Sequence, residues 1–286
     1  MSGLGEGQRA LVVGVANKRS IAWSIARALD AQGARVALSY QNERTERDVR
    51  RLAEALSGDT LVVPLDVQDD AQMDAAFDAA AAELGGLDTL VHAVAFARPE
   101  DLTGRFTEIS REGFALALDV SAYSLIALAK RAEPHMRAAG GGSIMALSYI
   151  AADRAVPGYN VMAVAKAALE CIVRYLAWDL GDGGIRVNAI SAGPIRTLAA
   201  RGIPGFSEMA DQIAARTPLR REIIVDEVGD TGLYLASPLS RAVTGESLFV
   251  DDVELPGLLH AAFVRSPYAH ARLKRIDVSA AGRGPG

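Results

Sequence analysis

Two tyrosines and a lysine are the side chains whose types and spacing promise chemistry. Tyr149, Tyr159 and Lys166 lie in one stretch, with Lys166 seven positions after the second tyrosine. If the segment following Pro157 is helical, about 3.6 residues per turn carries Lys166 round to nearly the face of Tyr159, roughly 10 Å along the axis. A phenol donates a hydrogen bond to an oxyanion, and a nearby ammonium lowers the cost of negative charge on or near the phenolic oxygen. A tyrosine and a lysine at helical spacing also occur by chance on protein surfaces. The pair therefore gains meaning only from what the rest of the chain places around it.

The first forty residues supply a second site. Gly14 to Ala22 follows an apolar β-branched run and opens a helical pattern. A glycine at a strand end, a turn of small residues and a new helix form a seat for a dinucleotide pyrophosphate, although the usual G-x-G-x-x-G spacing is missing. Ser20, at the helix start, serves either to cap N–H groups or to bind phosphate. Strand two ends at Tyr40-Gln41, where an acidic residue would hold the ribose 2′-hydroxyl of NAD and an arginine nearby would accept the phosphate of NADP. Gln41 offers a neutral hydrogen bond, which favours NADH, and Arg44 stands one turn further on. Asp66, at the end of strand three, suits an adenine amino group and equally an N-cap of the next helix. His92 ends strand four before the small residues Ala93-Val94-Ala95; a histidine there is expected to be structural rather than catalytic.

The composition narrows the class. The chain has 286 residues, half of them hydrophobic, and 30 basic against 35 acidic residues for a net charge of -5. With no basic block, nucleic acid is not an expected partner. Cys171 is the only cysteine, which leaves no disulfide framework and no cysteine-based metal site, and its apolar neighbourhood predicts an inert core thiol. No run of eighteen apolar residues suggests a membrane span, and Met1 to Gln8 does not resemble a signal peptide. A soluble, cytoplasmic setting is the expectation.

Elements that would hold these residues alternate regularly. Ala10–Val13, Val36–Tyr40, Thr60–Pro64, Thr89–Ala93, Ser143–Leu147, Arg186–Ser191 and Ser247–Val250 read as strands. Amphipathic stretches separate them, such as Ile21, Ala22, Ile25, Ala26 and Leu29, closed by Gly33. Alternation of this kind predicts an α/β fold, one doubly wound parallel sheet of Rossmann type with seven strands, forming a single domain.

Taken together, the Gly14–Ala22 turn, Tyr40-Gln41, the strand end His92–Ala97, the Tyr-x6-Lys segment and Ser191–Ala199 resemble the bacterial enoyl-acyl-carrier-protein reductases, a divergent branch of the short-chain dehydrogenases. The resemblance spans roughly residues 5 to 251. In the commoner branch tyrosine and lysine are four apart, with a serine thirteen before the tyrosine; here those places hold Met162 and Tyr149, which argues against an ordinary ketoreductase. The resemblance implies that NADH reduces a trans-2-enoyl thioester carried by acyl carrier protein. It implies that Tyr159 hydrogen-bonds the enolate oxygen, that Lys166 binds the nicotinamide ribose and that Tyr149 shapes the substrate end. It further implies cofactor contacts at Gly14, Ser20, Ile21, Gln41, Asp66, Val67, Val94, Ile195, Arg196, Thr197, Leu198 and Ala199, a substrate contact at Ala97, and no metal. Pro194 to Phe206 would be a covering loop with Gly202 and Gly205 as hinges. Ala163 and Ala93 depart from the family's usual glycine and serine, small for small.

The end of the chain departs further. From Asp252 it resembles the start of the large molybdopterin-binding subunit of the aldehyde oxidase and xanthine dehydrogenase group. The two patterns meet at a shared Val-Asp, as a gene fusion or an assembly error produces. Residues 1–251 thus read as the catalytic domain and 252–286 as an atypical tail, too short for a molybdopterin pocket, with His260 and His270 as bystanders and Leu258–Val264 as an edge strand. The family's homotetramer is placed in doubt by this tail. Rival expectations are another short-chain reductase acting on a small enone or ketone, and an inactive fusion product that only binds NADH.

Overall fold

Short runs rich in valine, isoleucine and leucine form a sheet because both of its faces are covered. A strand buried on both sides needs apolar residues at odd and even positions alike. The computed structural model describes residues 3–197 and 219–249. Its strands are β1 (Arg9–Val13), β2 (Arg35–Tyr40), β3 (Val62–Pro64), β4 (Thr89–His92), β5 (Gly142–Ser148), β6 (Ile185–Ser191) and β7 (Ser247–Phe249). All pair in parallel, in the order β3-β2-β1-β4-β5-β6-β7. Strand β3 is shorter than the sequence predicts, beginning at Val62 rather than Thr60. Pro64 ends it without an N–H to donate, which an edge strand tolerates. Val250, expected to close β7, lies outside the described residues.

Helices cover the two faces separately. One face carries α1 (Ile21–Ala31), α2 (Glu43–Ala53) and α8 (Val225–Ala236); the other carries α3 (Asp70–Leu84), α6 (Ser124–Ala138) and α7 (Asn160–Leu180). The alternation along β1 shows the division, with Ala10 and Val12 packed towards α1 and Leu11 and Val13 towards α3 and α6. Two short helices, α4 (Pro99–Leu102) and α5 (Arg111–Leu118), follow β4, and a single π-helical stretch, Asp119–Tyr123, joins α5 to α6. The continuous run Arg111–Ala138 is long and apolar enough to cross a membrane by length and composition alone. Leu125, Leu128, Ala132 and Met136 along it are nonetheless packed in the protein core.

The chain reverses direction across the sheet between β1 and β4. Their carboxyl ends are therefore splayed by connections running opposite ways, and ligands of open α/β sheets bind in that crevice.

Candidate active site

The crevice floor is backbone. Gly14, directly after β1, has φ +98°, and a Cβ there would stand 2.3 Å from the carbonyl oxygen of Ala93 beyond β4. Only glycine allows the two strand ends to come this close. The turn that follows is held by Asn17, whose Oδ1 accepts from Arg19 N at 2.8 Å. Ser20 occupies the N-cap position of α1 but does not cap it; its hydroxyl donates to Asn17 O at 2.7 Å. The first N–H groups of α1 and the oxygen of Ser20 thus border the groove without a side-chain cap. That groove has a volume of about 420 Å³, and Gly14, Ser20, Ile21, Gln41, Val67, Val94 and Thr197 line it. It fits an extended anionic ligand laid over a helix N-terminus.

Asp66 does not line it, although Leu65 and Val67 on either side do. The capping role weighed for Asp66 belongs to Asp69, whose carboxylate accepts from Ala71 N and Gln72 N at the start of α3. Asp66 instead accepts from Gln68 N at 3.0 Å. Arg196 pairs with Glu222 across an exposed surface. Leu198, Ala199 and the loop beyond them to Phe206, with its expected hinges Gly202 and Gly205, lie outside the described residues, as does the tail from 252.

A second cavity of about 440 Å³ opens from the first, sharing Ile21, Ala95, Leu147 and Thr197 in its walls. Ala97, Tyr149, Tyr159, Lys166 and Ile195 meet here. Tyr149 leaves the end of β5 and Tyr159 precedes α7, and their rings stack at 4.9 Å between centroids, tilted by 47°. The helical relation expected between Tyr159 and Lys166 is corrected in one respect: α7 begins at Asn160, so Tyr159 is its N-cap and stands outside the helix. Gly158 (φ +77°) and Asn160 (φ +28°) flank it in left-handed conformation. Asn160 tolerates this better than most residues, and its side chain donates to Thr103 O and Gly104 O at 3.3 Å. The turn is thereby tied to the end of α4.

Burial sets the protonation states. Tyr159 is pushed well above the usual phenol range, first by burial and then by Tyr149 beside it, so it stays a hydrogen-bond donor at neutral pH. Tyr149 is raised by burial too, and its buried hydroxyl has no partner among the described residues. Lys166 is 4% exposed and is drawn down to about 8 by burial, with Glu170 opposing the fall. Its Nζ donates to Leu147 O at 2.6 Å, leaving donors for a ligand at the junction of the two cavities.

His92 is structural, as the sequence predicts. Ser124 Oγ donates to Val120 O and therefore accepts from His92 Nε2, at 2.7 Å. Complete burial, with the Lys166 charge in second place, lowers it to about 3 and keeps the imidazole neutral. Cys171 reverses its expectation: it is exposed, because α7 is apolar on its outer side as well as its inner one. Two residues that spacing did not single out are Ser148 and Glu170, both buried and hydrogen-bonded to each other. A carboxylate between the apolar residues Leu169 and Val173, four positions after the lysine, was the available signal.

Residues 14–252 match the family profile of enoyl-(acyl carrier protein) reductase. The chain belongs to the enoyl-acyl-carrier-protein reductase family. It is 50% identical over 247 residues to the NADH enoyl-acyl-carrier-protein reductase of Bacillus cereus, covering 86% of this chain and 96% of that one. It is 47% identical to a Staphylococcus aureus relative named for NADPH, covering 86% and 96%. The solved reductase of Anaplasma phagocytophilum in complex with NAD superposes with a TM-score of 0.83 at 49% identity, covering 88% of this chain and 95% of that one. Residues 244–286 match a different profile, the a/b hammerhead domain of aldehyde oxidase and xanthine dehydrogenase. The reductase and hammerhead matches overlap from 244 to 252.

Proposed function

We propose that this reductase-family chain transfers hydride from NADH to trans-2-enoyl thioesters of acyl carrier protein, the last reductive step of fatty-acid elongation. The observation that carries the reading is the meeting of Tyr149, Tyr159 and Lys166 in an apolar cavity that shares Leu147, the acceptor of the Lys166 ammonium, with the glycine-floored groove.

The residues present fit a dinucleotide. Gly14 leaves room that a Cβ would fill, and the uncapped first turn of α1 offers N–H donors to a pyrophosphate. Gln41, Val67, Val94 and Thr197 would line its path, Ile195 would border the nicotinamide end, and Lys166 would hold the nicotinamide ribose. When bound, the reduced nicotinamide supplies hydride to the β-carbon of the enoyl group. Charge then develops on the thioester oxygen, where Tyr159, held protonated by burial, donates a hydrogen bond. The Lys166 ammonium keeps the local field positive while that charge exists. A proton reaches the α-carbon from the Tyr159 phenol or through a water it orders. Tyr149 and Ala97 shape the substrate end.

The assembly to test is the family's cytoplasmic homotetramer, which the sequence from 252 places in doubt. Support for assembly comes from Tyr175 and Trp178 on the outer side of α7, 75% and 87% exposed, and from Tyr123 and Ile126 at the start of the neighbouring α6. Loss of NADH absorbance on adding an enoyl-carrier substrate tests the activity, and repetition with NADPH tests cofactor choice. NADH binding without oxidation would overturn the catalytic reading and leave a binding protein.

A further inference from the structure

Lys166 and Glu170 stand one turn apart on α7 and are both buried, at 4% and 6% exposure. Each is tied to one of two successive residues at the end of β5. Lys166 Nζ donates to Leu147 O at 2.6 Å, and Ser148 Oγ donates to Glu170 Oε1 at 2.5 Å. A buried carboxylate holding only a neutral hydroxyl is costly unless a cation lies near. Lys166 is the buried cation its helix provides, Arg174 one turn beyond Glu170 being exposed, and a buried ammonium has the same need in return.

Among the described residues, the other groups near Lys166 supply no such balance. His92 from β4 is neutral, and Tyr149 and Tyr159 are protonated phenols. Asp119, in the π-helical stretch against α7, is engaged by Gln68 Nε2 at 2.8 Å, and Arg196 is paired outward with Glu222. The double tie also orients the ammonium: with Leu147 O taking one donor, the remaining two are directed away from the strand.

We infer that Glu170 is a positioning residue, whose carboxylate, anchored by Ser148, keeps Lys166 an ammonium and aimed at the cofactor ribose. This rests on the proposed role of Lys166 in binding NADH. Substrate and hydride need not touch Glu170; it acts through Lys166 alone. Its contribution is therefore to the pH range of binding rather than to the chemical step.

The test is NADH affinity, by fluorescence titration from pH 6.5 to 9.5, for the full chain and three variants. The parent should lose affinity as pH rises through about 8, where Lys166 gives up its proton. Glu170→Gln, which keeps the shape and can still accept from Ser148, should move that loss down by about one pH unit, with affinity near the parent's at the acid end. Glu170→Asp, which keeps the charge, should stay at the parent's position, and it alone decides if the glutamine variant does not fold. Superimposed parent and Glu170→Gln curves overturn the inference, as does weakening by one factor at every pH in both Glu170 variants. Lys166→Ala separates the two levels: unchanged NADH affinity in it refutes the underlying assignment of Lys166, whereas lost affinity beside an unshifted Glu170→Gln curve refutes only the role of Glu170.

Discussion

The two cavities that meet at Leu147 are built on different principles. The groove over Gly14 is made by backbone: a positive φ, a close approach to Ala93 O and the open first turn of α1. The cavity around Tyr159 is made by side chains whose ionisation is set by burial, with Tyr159 raised and Lys166 lowered. On the proposed function, the first would recognise an anion by shape and dipole and would need no titratable group. The second would place a donor and a cation where charge appears and disappears during reaction. Substitutions should therefore damage the groove through geometry and the cavity through protonation.

The sharpest break on the cavity side is Tyr159→Phe. Turnover of the enoyl substrate should fall a hundred- to thousandfold, the usual loss on removing one oxyanion donor, while NADH affinity stays within about twofold. Equal turnover in parent and variant would remove Tyr159 from the chemistry. On the groove side, Gly14→Ala should cost about 2 kcal/mol or more of stability from its left-handed backbone alone and abolish measurable NADH binding. A melting temperature and NADH affinity matching the parent's would show that the floor yields.

How much of this contrast was legible in the sequence follows from the same division. Gly14 and Ser20 could be read because a turn between a strand and a helix has few solutions, and the seven strands because each carries its apolar run. The protonation states could not, since no spacing reveals that Tyr159 is buried against Tyr149. Tyr159 as a helix residue was a misreading with a physical cause: Gly158 and Asn160 take left-handed conformations that delay the helix by a residue. Cys171 misled because an apolar helix face is the same in sequence whether it meets a core or is left exposed.

A third prediction carries the contrast into folding. His92 has a folded value near 3 against an ordinary one of 6.5. Its contribution to stability is complete above 6.5 and is lost as pH falls towards 3, because the unfolded chain takes up a proton that the folded one refuses. Between pH 6 and 4 the parent should lose about 2.5 kcal/mol more than His92→Gln, somewhat under one proton's worth per unit. Parallel stability curves for the two proteins in urea would show that the imidazole titrates in the fold. The smallest effect concerns the groove rim. If Gln41, which lines the groove, faces the ribose 2′ position as proposed, NADH should exceed NADPH in kcat/KM by about tenfold, or 1.4 kcal/mol. A preference for NADPH that Arg44→Ala reverses would move the phosphate contact to Arg44.

The π-helical stretch at Asp119–Tyr123 has a consequence for insertions and deletions. One extra residue in a helical turn offsets everything beyond it by about 100° about the axis. In α6 that offset is what turns Leu125, Leu128 and Met136 into the core. Within the stretch itself, Ser121 Oγ accepts from Phe96 N at 2.9 Å and donates to Phe96 O at 3.1 Å, fixing the segment that carries Ala95 and Ala97. Losing a single codon here would thus rotate a whole helix and release one wall of the substrate cavity at once. Reading frames with one residue fewer between 119 and 123 should accordingly be rare among functional relatives, whereas the exposed turn at Ser57-Gly58 should vary freely in length.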